Sequence, residues 1–436
     1  MNEAFLQYVW QHGLLEGPLA TVDGLPVVVE RAGELNRDAG PDFFAARLLI
    51  DGVLWVGNVE VHIKASDWKL HHHSSDKNYN NVILHVVYVA DADIVLEDGS
   101  RVATLSIADN IPERVWENYN QLMNPAADVD IPCAPRLKEI PPFLFKIGQE
   151  RLSVERMERK SGDVKRLLRQ TKGSWEQTCY WLTAHYFGGK TNAFAFELLA
   201  KVTPMNVLAK FKDNPFRVES LFFGQAGMLD KDFADDYPRA MKHEYSYQSA
   251  AYNLTPMPGH LWKFFRLRPP SFPTLRISQF ATLIVRSNNL FSRLLDTSDV
   301  RLLRSLFDVG ASDYWHNHYQ FDKPAAPCPK IMGNALVDSI IINAWVPLLF
   351  QYGVMHDDQN RKDQAFALLE QLPPEDNRIV RLWQRLDIVP NDAFQSQALI
   401  ERYNEYCNRK RCLDCHLAFR LLKYFPRGSS SLPLNN

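Results

Sequence analysis

The sequence predicts an α+β amino-terminal domain with a mixed sheet, followed by a mainly α-helical domain. Three observations predict it. Up to about residue 110, short β-branched runs alternate apolar and polar side chains between tight-turn signals, the pattern of half-buried strands. Beyond a stretch holding Pro125, Pro132, Pro135, Pro141 and Pro142 the apolar period lengthens to that of a helix. The charge changes at the same place. Residues 1–130 carry 8 Lys/Arg and 20 Asp/Glu, net −12, leaving 41 basic and 31 acidic residues, net +10, in a chain of formal charge −2. The expected divisions are residues 1–125, residues 140–426 and a disordered tail at 427–436.

The elements follow in order. Residues 2–15 place Phe5, Leu6, Val9 and Trp10 at helical spacing before Gly13. Residues 25–31 read as a strand, and 32–42, rich in Gly, Asn, Asp and Pro, as a loop. Residues 43–50 and 53–64 read as strands joined at Asp51-Gly52, a strong hairpin signal. Residues 82–90 form an apolar, buried strand, and a further hairpin passes through Glu97-Asp98-Gly99. Helices are expected over 143–170, 174–187, 272–295, 334–353, 361–372 and 377–386, with a last one from about Ala393 to Tyr424.

Composition excludes several classes. The chain has 436 residues, 46% hydrophobic and 23% charged, which suits two or three globular domains and not a disordered or collagen-like chain. No run approaches the roughly 18–20 apolar residues of a membrane helix. The first residues hold Glu3 and no basic cluster, unlike a signal peptide, so a cytoplasmic location is the default expectation. Six cysteines are too few for a disulfide scaffold and would be thiols or metal ligands. The chain lacks G-x-S-x-G, Walker A, helix-opening G-x-G-x-x-G and H-E-x-x-H motifs, which argues against serine hydrolases, P-loop NTPases, Rossmann enzymes and zincins.

The most informative stretch is 34–85. Asp42 opens one strand and Glu60 lies on the next. Alternation puts Glu60, His62 and Lys64 on one face and Val59, Val61 and Ile63 on the other. A hairpin can bring Asp42 beside Glu60, and two close carboxylates repel unless a proton or cation sits between them. Their oxygens suit Mg²⁺ or Mn²⁺, and a neighbouring His or Lys can orient an attacking water. The plainer reading is a solvent-facing polar side of a strand. Five of the thirteen histidines, His62, His71, His72, His73 and His85, fall in this stretch. His85 reads as a satisfied core histidine or as a member of the Glu60 cleft. The His71–His73 run reads as a solvated loop or as a Zn²⁺ or phosphate binder.

Pro41-Asp42 followed by Glu60-Val61-His62 resembles the motif of the PD-(D/E)XK nuclease superfamily over roughly residues 1–110, with His62 in place of the family's lysine. The resemblance implies a restriction-endonuclease-like domain. It implies a Mg²⁺- or Mn²⁺-dependent phosphodiester hydrolase with Asp42 and Glu60 as metal ligands and His62 or Lys64 positioning water. Glu34 would stand for the upstream acid. The alternative is a nucleic-acid-binding or scaffold protein with a degenerate site. The phrases GPDF, GNVEVHIKASDW, YNNVILHVV, LFFGQAGML and RPPSFPTLR also resemble, across nearly the whole chain, a bacterial domain-of-unknown-function family.

Two further features carry expectations. Cys407, Cys412 and Cys415 have C-x4-C-x2-C spacing, suited to Zn²⁺ or an iron–sulfur cluster once a fourth ligand joins. Cys328, Cys133 and His416 are the candidates. The plainer reading is three thiols on a helix. Residues 146–172 carry nine Lys/Arg and four Asp/Glu, and residues 260–304 carry eight Lys/Arg and two Asp. Arg266, Arg268 and Arg276, interleaved with aromatics, suit contact with DNA or RNA. The plainer reading is a solvated helix face with arginine stems over apolar surface.

Overall fold

The structure, a computed structural model, describes residues 1–97, 99–125, 129–287 and 289–423. Asp98 of the expected turn and the expected tail at 427–436 lie outside the described residues. The chain divides into two compact units, Met1–Gly148 with Arg402–Asn436, and Gln149–Glu401. This differs from a single cut near the prolines. The segment from Arg402 returns to the first unit, so the cysteine-bearing turn belongs with the sheet.

The first unit begins with α1 (Glu3–Gln11), capped by Asn2, whose side chain accepts from Phe5 N at 3.0 Å. The helix buries Phe5, Leu6, Val9 and Trp10, the residues whose spacing predicts it. Its remaining face offers Glu3 and Gln7. The strands are β1 (Leu19–Ala20), β2 (Pro26–Arg31), β3 (Glu34–Leu35), β4 (Phe43–Ile50), β5 (Val53–Lys64), β6 (Val82–Val89) and β7 (Thr104–Ser106). They form a seven-stranded sheet in the order β1-β2-β4-β5-β6-β7, with β3 paired to β4. The pairs from β1 to β5 are antiparallel, and β5-β6 and β6-β7 are parallel. The sheet is therefore mixed. At the β4-β5 turn Asp51 and Gly52 both adopt positive φ, 50° and 75°, as a primed two-residue turn requires.

The β5-β6 connection is parallel and so needs a crossover. It contains α2 (Asp67–Leu70) and two short 3₁₀ turns, His73–Ser75 and Lys77–Tyr79. Two register shifts, in β4 between Phe43 and Ala46 and in β5 between Asn58 and Val59, flank the start of the buried half of β5. Bulges of this kind re-aim side chains. Gly57 is needed there, since a Cβ would lie 2.4 Å from Ile83 Cγ2 and 2.8 Å from Asn81 O. After the sheet comes α3 (Glu113–Met123), and Asn118 Nδ2 donates to Leu422 O at 3.0 Å, tying it to the terminal helix Ala418–Lys423.

The second unit is helical, as its 3.6-residue period predicts. Its core includes Trp315 and Trp345. The expected helix over 272–295 is two, Pro273–Arg286 and Leu290–Leu295, with left-handed backbone at Asn289 between them (φ 54°). The segment Asn334–Met355 contains a π turn at Ile341–Trp345. Pro347 has no N–H to give the preceding turn, and the wider turn absorbs that loss. Among the described residues this segment alone is long and apolar enough to cross a membrane, and 72% of its apolar window is buried in protein. The expected helix from Ala393 to Tyr424 is broken. It runs Ala393–Glu401, continues as a π turn over Arg402–Cys407, and resumes only at Ala418. Lys410 adopts φ 53° and Arg411 N returns to Tyr406 O at 2.9 Å. The cysteines therefore occupy a turn, not one helix face.

Candidate metal centre

The hairpin brings Asp42 and Glu60 together. The Asp42 backbone N–H donates to Glu60 Oε2 at 3.0 Å. The Asp42 carboxylate is held on both oxygens. Gln7 Nε2 donates to Oδ1 at 2.9 Å, and Val61 N donates to Oδ2 at 3.0 Å. The solvent-facing reading of this strand side is overturned, because Glu60 is 5% exposed, His62 2% and His85 0%. At this point the sheet is covered on both faces, and alternation no longer separates buried from exposed positions.

The polar face of β5 continues into a histidine cluster. His62 Nδ1 lies 2.9 Å from His85 Nε2 on β6, and His62 Nε2 lies 3.1 Å from His71 Nδ1. His62 Nε2 and His73 Nε2 both approach Glu60 Oε1, at 3.4 and 3.3 Å. The ligand nitrogens of His62, His71 and His73 lie within 4.8 Å of one another. The local sequence explains the convergence. Trp68, fully buried, anchors α2. His72 then adopts left-handed backbone (φ 62°), reversing the chain between its neighbours. His73 stacks on Tyr79 at 3.8 Å between ring centroids.

The three histidine nitrogens are close enough to share one ion. With metal–ligand bonds of about 2.1 Å, neighbouring donors sit about 3.0 Å apart in an octahedron and about 3.4 Å in a tetrahedron. His62 Nε2 and His71 Nδ1 meet that spacing, and Glu60 Oε1 meets it against His62 Nε2 and His73 Nε2. The tautomer that serves a metal has His62 Nδ1–H donating to His85 Nε2, leaving Nε2 with a lone pair. His85 is then the outer partner that fixes the ring.

The electrostatics agree. Burial, then repulsion from Asp42, pushes the Glu60 carboxyl up, and burial likewise raises Asp42. Glu3 adds to both, and is itself raised by burial. Burial pushes His62 and His85 down to about 3 and His73 to about 4, with further repulsion among the rings. The site thus holds acids that resist ionising beside imidazoles that refuse protons. A divalent cation would stabilise the carboxylates and coordinate the unprotonated ring nitrogens.

The other expected residues are placed as follows. Lys64 lies past the buried part of β5 with an exposed side chain, its backbone N bonded to Asp67 Oδ2 at 2.9 Å. Glu34 is exposed and paired with Arg31, away from Glu60. The acid on the first helix is instead Glu3. Sequence reasoning passes over Glu3 and Gln7, although their i, i+4 spacing on the open face of α1 is the available signal. It also keeps the His71–His73 run apart from the hairpin. Gln7→Ala is expected to weaken metal binding about tenfold by freeing Asp42, with little loss of fold, as outer-sphere changes do. Isothermal titration with Mn²⁺ and Zn²⁺ checks this.

In the second unit, Arg266 and Arg268 are exposed on either side of Leu267, and Phe265 beside them is 81% exposed. Arg276 is half-buried, donates to Gln279 Oε1 at 2.9 Å, and is lowered to about 10 by burial. It serves packing more than an open surface. Cys328 is exposed in that unit, whereas Cys133 shares one pocket with Cys407, Cys412 and Cys415 in the first. The His416 ring packs against Gly148.

A family model described as a protein of unknown function (DUF2851) matches residues 3–378. No curated protein and no solved structure matches the chain.

Proposed function

The chain belongs to the DUF2851 family, and for this member we propose a metal-dependent phosphodiester hydrolase of nuclease-like type. The observation that carries the reading is the convergence of the ligand nitrogens of His62, His71 and His73, with the buried Glu60 carboxylate against two of them. Three imidazoles and a carboxylate favour Mn²⁺, Fe²⁺ or Zn²⁺ over Mg²⁺, which prefers oxygen ligands. This shifts the expected ligand pair. Glu60 remains a ligand, while Asp42, held by Gln7 and Val61, orients Glu60 through its own N–H. A divalent ion there supplies a water of lowered pKa and a positive charge opposite a phosphate. Tyr79 and Trp68 wall the site and restrict water.

The substrate class rests on two supports. The order of helix, antiparallel hairpin, short helix and parallel strand is compatible with the nuclease resemblance. The Phe265-Arg266-Leu267-Arg268 stretch offers two cations and an exposed aromatic ring, which suits a nucleic-acid strand. One observation favours the second reading, a binding protein with a degenerate site: Lys64 is exposed, and no lysine amine stands among the described site residues where the nuclease motif has one.

The test is cleavage of labelled single- and double-stranded DNA and RNA with Mn²⁺, Zn²⁺ or Mg²⁺, comparing the protein with His73→Ala and Asp42→Asn. Metal-dependent cleavage lost in His73→Ala supports the hydrolase. Folded, metal-loaded protein that binds nucleic acid without cutting it supports the binding protein. Metal loading with neither binding nor cleavage overturns the nucleic-acid substrate.

A further inference from the structure

The turn at residues 407–417 and the segment before α4 (Pro142–Gln170) build a second site, distinct from the histidine centre. Cys133, Cys407, Cys412 and Cys415 line one pocket with Arg402, Tyr406, Leu122, Pro132, Leu417 and Leu421. Cys407 and Cys412 are each 8% exposed. The backbone turns back on the carbonyls of Cys407, Cys412 and Cys415. Lys410 N donates to Cys407 O at 3.1 Å, Cys415 N to Cys412 O at 3.1 Å, and Ala418 N to Cys415 O at 2.9 Å. The chain thus leaves its helix after Cys407, and Cys412, Cys415 and Cys133, the last distant in sequence, line the same pocket as Cys407.

We propose that Cys133, Cys407, Cys412 and Cys415 ligate a [4Fe–4S] cluster, with Arg402 as the neighbouring countercharge. Four cysteines are the usual ligand set of such a cluster. A single Zn²⁺ fits less well. At about 2.3 Å per Zn–S bond, a tetrahedral ion draws its sulfurs to about 3.8 Å from one another. Among the described residues, the histidine trio is the one group of three or more ligands whose atoms all lie within 4.8 Å of each other. The four sulfurs do not meet that closeness, so a single ion would have to draw the pocket walls inward. On ligation each cysteine S–H loses its proton and forms one Fe–S bond. Four thiolates on a [4Fe–4S]²⁺ core give a net charge of 2−, and four protons leave.

That charge needs compensation in an apolar pocket. Arg402, 1% exposed, sits where Cys415, Cys407 and Cys133 each act on it electrostatically, and stacks over the Phe145 ring at 4.1 Å. With neutral thiols the guanidinium faces no such charge from them. With the cluster it is an ion partner. Leu122, Leu417 and Leu421 shield the site from water, which favours cluster persistence. The plainer account, four cysteines as core filling, gives no reason for the helix to break where the cysteines gather.

The test uses full-length protein purified anaerobically and reconstituted with equal parts of ferrous and ferric iron and with sulfide. Iron, acid-labile sulfide, zinc, visible absorption and EPR after dithionite are measured. The expected result is about four iron and four sulfide per chain, with broad visible absorption that bleaches on reduction. Cys133→Ser and Cys412→Ser lose it, whereas Cys328→Ser and His73→Ala keep it, which separates this site from the histidine centre. Circular dichroism confirms that the serine variants stay folded; if Cys133→Ser unfolds, Cys133→Ala is read in its place. One zinc per chain without iron, kept in His73→Ala and lost in Cys412→Ser, overturns the cluster. So does full iron content in folded Cys133→Ser or Cys133→Ala, or a colourless wild type after reconstitution.

Discussion

Glu60→Gln is expected to weaken Mn²⁺ or Zn²⁺ binding at least about a hundredfold, beyond the effect typical of outer-sphere changes. Gln keeps the shape and still offers an oxygen to the Asp42 N–H, 3.0 Å away in the wild type. It removes the charge that faces His62 and His73. The same change is expected to stabilise the metal-free protein at neutral pH by on the order of 1 kcal/mol, since the folded protein no longer has to keep protonated a buried carboxyl that the unfolded chain ionises. Opposite signs in binding and stability mark a ligand. A residue with a merely structural role would lose both. Titration calorimetry and urea unfolding of the metal-free protein read the two effects separately.

The pH dependence follows with a definite sign. Glu60 and Asp42 are raised in the folded state, so the stability they contribute is fully present below the ordinary carboxylate range and is lost as pH rises through their raised values. The buried histidines act oppositely. Below about pH 6.5 the unfolded chain takes protons that folded His62 and His85 refuse. Above about pH 6.5 the histidine contribution is flat, and the carboxylates alone set the slope. Metal binding requires the ionised form of Glu60. The thermal stabilisation conferred by saturating Mn²⁺ is therefore expected to grow from pH 6.5 to 8. A shift that is flat over that range would remove Glu60 from the ligand set.

Much of this site is legible in the sequence where the physics is local. Asp51-Gly52 dictates the hairpin, the hairpin dictates that Asp42 meets Glu60, and alternation carries His62 to the same face. His71 and His73 are not legible that way, because they depend on left-handed backbone at His72, which no glycine announces, and on the burial of Trp68. Glu3 and Gln7 reach the site through packing of α1 on the sheet, which periodicity does not encode. The break after Cys407 escapes for a related reason. The stretch contains no Gly or Pro, so helical propensity runs on where tertiary contacts end the helix. Cys133 is brought to its pocket by contacts remote in sequence, which spacing rules cannot see.

Trp68→Ala is expected to cost about 3–5 kcal/mol, the range for truncating a fully buried large aromatic, and to weaken metal binding in protein that remains folded. Trp68 is 0% exposed and lies at 5.3 Å from the His73 ring, 5.2 Å from His85 and 5.7 Å from Tyr79 between centroids. It is the packing that holds α2 and so aims His71 and His73. Its indole Nε1 is buried without a hydrogen-bond partner among the described residues, a cost the fold carries at this position. Trp68→Phe separates the two roles. It keeps a ring against His73 and removes the unpartnered donor, so it is expected to cost under about 2 kcal/mol and to preserve metal affinity. Urea midpoints with calorimetry on both variants decide the matter. Equal loss of affinity in Phe and Ala would mean that the histidines are aimed by something other than this ring, and the local account of the site would fail there.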